Sequence, residues 1–240
     1  MSIAAHLVQS LARAAVHVFY QVDRVGSPPP SGPLILLPNH PNALLDPALV
    51  WATAGRAIRF LAKSTLFSSP FGPLVRAVGA IPVFRKQDRD GHESRNTEMF
   101  AAVDEALGRG GAICLFPEGI SHSTGRLEPL RTGAARMAIS AAAKGVAVQL
   151  VPVGINPDQK AIFRSRMTIV YGNPFPVPAS ASVHALTEQM AARMRHLIVE
   201  TDPEADAALV MRIDRLYAAE RPTGADAQAA IERRRAIAAG

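Results

Sequence analysis

Cysteine is nearly absent. Cys114 is the single one in 240 residues, so no internal disulfide can form, which fits a reducing compartment. Aromatic residues make up only 5% of the chain, which leaves little stacking surface for single-stranded nucleic acid. No nucleic-acid-binding motif is present either, so no nucleic-acid partner is expected. No uninterrupted apolar run reaches roughly 18 residues, and no membrane-spanning helix is predicted. The opening has no basic segment followed by a purely apolar run, so no cleaved leader is expected. Histidine, cysteine and acidic residues do not cluster at metal-ligand spacing, and neither a metal nor another cofactor is called for. The G-x-S-x-G elbow of serine hydrolases is also missing.

What is present is a folding sequence, with 48% hydrophobic residues against 19% charged. The length suits one domain with a small appendage. A formal charge of +6 favours polyanionic partners. With nucleic acid set aside, these are anionic lipid at a membrane surface or phosphate-bearing substrates.

Residues 1–24 carry apolar side chains at Ile3, Leu7, Leu11, Ala14, Val18 and Val22, one face of an amphipathic helix. That face either packs on the domain or lies in a membrane interface. After the turn-rich "VGSPPPSG", strands are expected at "PLILLP", Arg59–Ala62, "GAIPVF", "GAICLFP", "VAVQLVPVGI" and "RMTIVYG". Helices are expected over Pro47–Ala54, Asn96–Leu107, Leu130–Lys144, Val183–Val199 and Ala205–Ala219. The alternation predicts an α/β domain over residues 25–178, with a mostly parallel central sheet and helices on both faces. Residues 179–219 are expected to form C-terminal helices packed on it, and 220–240 a flexible tail.

The stretch "LLPNHPNALLDPALV" places His40 and Asp46 six positions apart, each before a proline. On a continuous helix such positions lie about 240° apart and cannot meet. The prolines bias both residues away from helical torsions, so a loop from His40 to Asp46 is expected, with Asp46 capping a helix that starts at Pro47. Such a loop lets the carboxylate reach the imidazole, fix its tautomer and make His40 a general base. A plain N-cap beside an ordinary loop histidine fits the same residues. In "LFPEGISHSTGRLEPLRTGAARMA", a strand runs through a glycine loop into a helix, the place where α/β proteins hold ligands. Backbone amides there, with Ser121 and Arg131, can hold an anion, and Arg85 ends another strand. Arg85 and Arg131 equally suit a solvated surface, and Glu118 could pair with either. Cys114 lies within an apolar strand and reads as a buried hydrophobe rather than a nucleophile.

Taken together, "NHPNALLD", "GAIPVFRK", "FPEGISHS" and "VPVGI" occur in the order and spacing of four sequence blocks. In them the chain resembles the glycerolipid acyltransferases, which include glycerol-3-phosphate and lysophosphatidate acyltransferases. The resemblance covers roughly residues 16 to 175. It implies His40 as catalytic base and Asp46 as its orienting carboxylate. Arg85 would bind phosphate; Glu118, Gly119 and Ser121 would hold the acceptor, and Pro152 would stand beside the acyl pocket. Arg131 retains a positive charge where lysine is also common. Five residues separate His40 from Asp46 where the commonest family form has four. With "LAKSTLF", which adds Lys63 to the substrate-binding set, the longer spacing looks most like the fungal glycerol-3-phosphate/dihydroxyacetone-phosphate branch. The activity implied is acyl transfer from acyl-CoA or acyl carrier protein to a phosphate-bearing glycerol, at the cytoplasmic face of a membrane. The expected acceptor is glycerol-3-phosphate or dihydroxyacetone phosphate; the alternative is a lysophosphatidate or other lysolipid acyltransferase, and more remotely a thioesterase or a non-catalytic lipid-binding protein.

Overall fold

The structure is a computed structural model that describes residues 3–43, 45–70, 72–84, 92–122, 124–159, 162–201, 204–220 and 226–239. One eight-stranded sheet is built from β1 (Gln21–Val25), β2 (Leu34–Pro38), β3 (Ile58–Lys63), β4 (Ile81–Val83), β5 (Ala112–Cys114), β6 (Gln149–Pro157), β7 (Arg166–Tyr171) and β8 (Phe175–Pro176). Around it lie α1 (Ile3–Phe19), α2 (Leu45–Thr53), α3 (Ser64–Phe67), α4 (Gly72–Ala77), α5 (His92–Gly108), α6 (Gly133–Ala143), α7 (Val183–Arg195), α8 (Glu204–Glu220) and α9 (Ala227–Ala239). The strand order is β1-β7-β6-β2-β5-β3-β4, with β8 beside β6. All pairings are parallel except β6 with β7 and β6 with β8. The mostly parallel α/β architecture is as expected from the alternating elements.

A parallel sheet covered on both faces needs strands that are apolar throughout, and "LILLP" is buried at every position. Alternation sends Ile35 and Leu37 into one core, with Met99 and Val103 of α5, Ala138 of α6 and Met190 of α7. Leu34 and Leu36 go into the other core, with Leu49 and Val50 of α2 and Val16 of α1. The central strands β2, β5 and β6 therefore hold the loops at their C-terminal ends at fixed heights. Pro38 is level with Val153, and Leu36 with Cys114.

Three expectations from sequence are corrected. The first helix stops at Phe19, and Gln21–Val25 form edge strand β1, paired in parallel with β7 from Gln21 opposite Arg166. "QVDRV" has no apolar run to announce a strand; its pairing with β7 comes from residues about 145 positions away along the chain. The helix after the His40 loop begins at Leu45, so Asp46 sits in its first turn rather than capping it. Residues 227–239, expected within a flexible tail, form α9, with Ile231 and Arg234 buried. Arg234 bridges Asp214 of α8 (2.8 Å) and Asp158 after β6 (2.7 Å), while Arg233 takes the other oxygen of Asp214 (2.6 Å). A run of arginines that suggests a solvated tail is in fact partly neutralised inside the fold.

Two buried groups make stability depend on alkaline pH. Burial, aided by the nearby Asp46 charge, pushes the Cys114 thiol up, and burial pushes the Tyr171 hydroxyl up despite its 2.8 Å hydrogen bond with Thr53 Oγ1. Both stay protonated in the folded chain, whereas the unfolded thiol ionises near pH ~8.5 and the phenol near ~10. Their stabilising contribution is complete below the unfolded values and is lost as pH rises through them. The urea midpoint is expected to fall progressively above about pH 8.5. In Cys114→Ala the decline should begin only near the phenol's range, and a thiol reagent should label Cys114 only once the chain unfolds.

Candidate active site

The C-terminal ends of β2 and β5 bring together the two loops singled out from sequence. Asn39, 5% exposed, ends β2 by pairing with the Ile155 backbone of β6 on both sides: its Nδ2 donates to the carbonyl (3.1 Å) and its Oδ1 accepts from the amide (2.7 Å). This pair of hydrogen bonds fixes where the chain leaves the sheet, and the next residue is His40.

His40 is held at four points. Its amide donates to Glu118 Oε1 (2.8 Å), and its carbonyl accepts from the His122 amide (3.2 Å). Its ring stacks on Phe116, with centroids 4.0 Å apart and planes 19° from parallel. Its Nδ1 lies 2.7 Å from Asp46 Oδ2. Asp46 is fully buried, and the same oxygen accepts from the Asn42 amide at 2.7 Å. A carboxylate in the first turn of α2 is favoured there by the helix dipole. With Nδ1–H donated to Asp46, the nitrogen left for a substrate is Nε2, and the side chain keeps 17% of its surface open. This is the geometry of a base steered by a carboxylate.

The "FPEG" loop after β5 supplies the cross-links. Glu118 is 2% exposed, yet both its oxygens are used within the protein. Oε1 takes the His40 amide; Oε2 takes the Glu128 amide (3.0 Å) and contacts His122 Nε2. Thr124 Oγ1 meets the other ring nitrogen of His122 at 2.8 Å and donates to Glu128 Oε1 at 2.9 Å. Ser121 Oγ accepts from the amide of Ala43, which sits at φ 39°. Glu118 and Ser121 thus join the two loops. Gly119 has φ +74°, and a β-carbon there would fall 2.5 Å from Arg131 Nε, so the Arg131 side chain lies directly over this glycine. The Arg131 amide donates to the Pro117 carbonyl at 2.8 Å. Lys63 is exposed at the C-terminal end of β3, on the same edge of the sheet. Arg85 lies outside the described residues.

Asn39, Phe116, His122, Thr124 and Glu128 were not singled out from sequence. The spacing of four between Glu118 and His122 was the available signal for that pair. Cys114, next to this loop on β5, is fully buried with its thiol held protonated, which leaves it no role as a nucleophile. Pro152 lies within β6, level with Leu37. Among the described residues no group of three or more His, Cys, Asp or Glu could hold a metal ion. A separate cleft of about 580 Å³, lined by Arg126, Leu127, Arg195, Leu209 and Ile237 among others, includes neither His40 nor Asp46.

On this mostly parallel sheet the histidine, the aspartate and the glycine loop meet at the strand ends, and the chain's similarity to known proteins gives the class. Residues 15–156 match the family model described as Acyltransferase, and the chain belongs to that family. Over 117 residues it is 32% identical to glycerol-3-phosphate O-acyltransferase 2 of Saccharomyces cerevisiae, covering 48% of this chain and 16% of that protein. Over 154 residues it is 25% identical to the chloroplastic 1-acyl-sn-glycerol-3-phosphate acyltransferase BAT2 of Brassica napus, covering 62% and 43%. The chain therefore spans less than half the length of these relatives. The fold matches the crystal structure of the 1-acyl-sn-glycerophosphate acyltransferase PlsC from Thermotoga maritima, with a TM-score of 0.62 over 80% of this chain and 78% of that one, at 18% identity.

Glu118 satisfies two backbone donors and one ring nitrogen in a buried setting, so removing it strands all three. Glu118→Ala is expected to lower unfolding free energy by about 3 kcal/mol or more, measured by urea titration. Substituting the exposed Lys63 by alanine is expected to change it by less than about 0.5 kcal/mol.

Proposed function

We propose that this chain is a glycerolipid O-acyltransferase that moves a fatty acyl group from acyl-CoA or acyl carrier protein to a hydroxyl of glycerol-3-phosphate or dihydroxyacetone phosphate. The observation that carries this reading is the 2.7 Å contact between His40 Nδ1 and buried Asp46, which leaves Nε2 as the free base. Family membership and the yeast glycerol-3-phosphate relative support the choice of reaction. Lysophosphatidate as acceptor is the second reading, favoured by the Brassica relative.

In this reading His40 Nε2 takes the proton of the acceptor hydroxyl as its oxygen attacks the thioester carbonyl. Asp46 stabilises the imidazolium that results. The tetrahedral oxyanion collapses, the C–S bond breaks, and the leaving thiolate recovers the proton from His40. The products are the new ester and free thiol, with no covalent enzyme intermediate. Arg85, Arg131 and Lys63 supply positive charge for the acceptor's phosphate, and the bare Gly119 backbone lets the Arg131 side chain lie close over the loop. Glu118 and Ser121 hold the His40 loop against the "FPEG" loop, beside the acceptor-holding role implied by the resemblance. The chemistry resides in residues 25–178. The enzyme works peripherally at the cytoplasmic face of a membrane, and none of its described helices is long and apolar enough to cross one.

The test is an assay of the purified chain with labelled acyl-CoA and a panel of phosphate-bearing acceptors, identifying the lipid product by mass. His40→Ala is expected to lower kcat by at least about 10²-fold with the fold intact by circular dichroism. Arg131→Ala is expected chiefly to raise the KM for the acceptor. Free fatty acid without acylated product would instead indicate a thioesterase, and an unchanged rate in His40→Ala would remove the imidazole from the reaction.

A further inference from the structure

The periodic apolar face of α1 does not point where a packed helix would send it. Val16 and Tyr20 are buried against the sheet and α2, whereas Leu11 and Val18 are 61% and 55% exposed. Helical geometry puts Leu11, Ala14 and Val18 on the side opposite Val16, and all three are exposed. The helix is thus apolar on two sides, one committed to the core and one facing outward.

A second element completes the outward surface. The loop between β6 and β7 exposes Ile162 (54%) and Phe163 (61%), and the Phe163 ring packs edge-to-face on exposed Phe19 at 5.7 Å. The Arg164 amide donates to the Phe19 carbonyl at 2.6 Å, and Arg164 adopts φ 59° to make that turn. The ridge is therefore built and braced. It carries positive charge: Arg164 is exposed, while the nearby acids Asp23 and Asp158 are paired with Arg166 and Arg234.

Strand register places this ridge on the edge of the sheet that holds the active site. Pro38 of β2 is level with Val153 of β6; β6 continues to Pro157, opposite Met167, and Arg166 is opposite Gln21. Residues 162–165 and Phe19 therefore lie beyond the same strand ends from which His40 emerges. Tyr20 ties the two regions directly, its hydroxyl accepting from Asn42 Nδ2 at 3.3 Å inside the His40 loop.

We infer that the ridge formed by Phe19, Ile162, Phe163 and the outer face of α1 is a docking surface for an anionic lipid bilayer. Apolar side chains enter the headgroup boundary and the flanking arginine meets lipid phosphate. The inference rests on the proposed acyl transfer to a lipid product, and supplies the direction in which that product leaves. A cation beside an aromatic ridge selects an anionic membrane over a neutral apolar partner.

Sedimentation with vesicles of phosphatidylcholine, with and without phosphatidylglycerol, tests it. The unaltered chain is expected to bind the anionic vesicles more tightly than neutral ones. Ile162→Ser with Phe163→Ser should weaken binding roughly ten- to hundred-fold. Leu11→Ser with Val18→Ser, on the other element, should weaken it in the same direction should the loop variant fail to fold. Acylation of water-soluble glycerol-3-phosphate by a short-chain acyl-CoA should be unchanged in both, since neither pair belongs to the site. Vesicle binding equal to that of the unaltered chain would overturn the inference, as would light scattering that shows a dimer converted to monomer by the loop variant with no loss of vesicle binding. If binding depends on the ridge but no variant, nor the parent, acylates any acceptor, the docking surface stands and the catalytic reading fails.

Discussion

The Glu118 carboxylate is the constraint on which the candidate site depends. One oxygen holds the amide of His40 and the other gathers the Glu128 amide and His122. A buried carboxylate is costly unless its lone pairs are filled, and here the filling is done by the loops that need to be positioned. The desolvation penalty thus becomes a geometric restraint: any displacement of the His40 loop leaves a buried acceptor or donor unmatched. Asn39 does the same one residue earlier, by bonding both sides of Ile155.

On that frame the imidazole has little freedom. Its two backbone polar groups are bonded, one ring face is against Phe116 and one nitrogen is against Asp46. Preorganisation of this kind matters for a base, because the ring need not be ordered at the moment of proton transfer. Asp46 gains from its place in the first turn of α2, where the backbone dipole favours a negative charge. The extra residue between His40 and Asp46, compared with the commonest spacing in the resembling family, does not loosen the pair. The loop takes it up, with Asn42 folding back onto the Asp46 oxygen and Ala43 turning at positive φ under Ser121.

The sheet gives the site its surroundings. The parallel strands β2, β3 and β5 all end on one edge, so His40, Lys63 and the "FPEG" loop converge there, although His40 and His122, which bond, are 82 positions apart. The antiparallel β7 and the parallel β1 return the exposed apolar ridge to that same edge. The candidate base and the exposed apolar ridge thus lie at the same end of the sheet.

Much of this was legible in the residues. The apolar strands and the alternation of elements marked a parallel α/β sheet, because a strand buried on both faces must be apolar at every position. Pro41 marked a break from helix after His40 and so made a pairing with Asp46 possible, beside the plain N-cap that fitted the same residues; Pro47 did not keep Asp46 out of α2, which begins at Leu45. The role of Glu118 was not legible, since its partners are spread from residue 40 to residue 128 and only the crossing of β2 beside β5 brings them together. The edge strand β1 was hidden because its pairing comes from β7, distant in sequence. The arginines of α9 fell within an expected flexible tail, and Arg233 and Arg234 are held, with Arg234 buried, only because Asp214 and Asp158 meet them. Periodicity in α1 identified an apolar face correctly but not its direction; a hydrophobic pattern reports that a face is apolar, and the packing of neighbouring elements decides whether the core or the outside receives it.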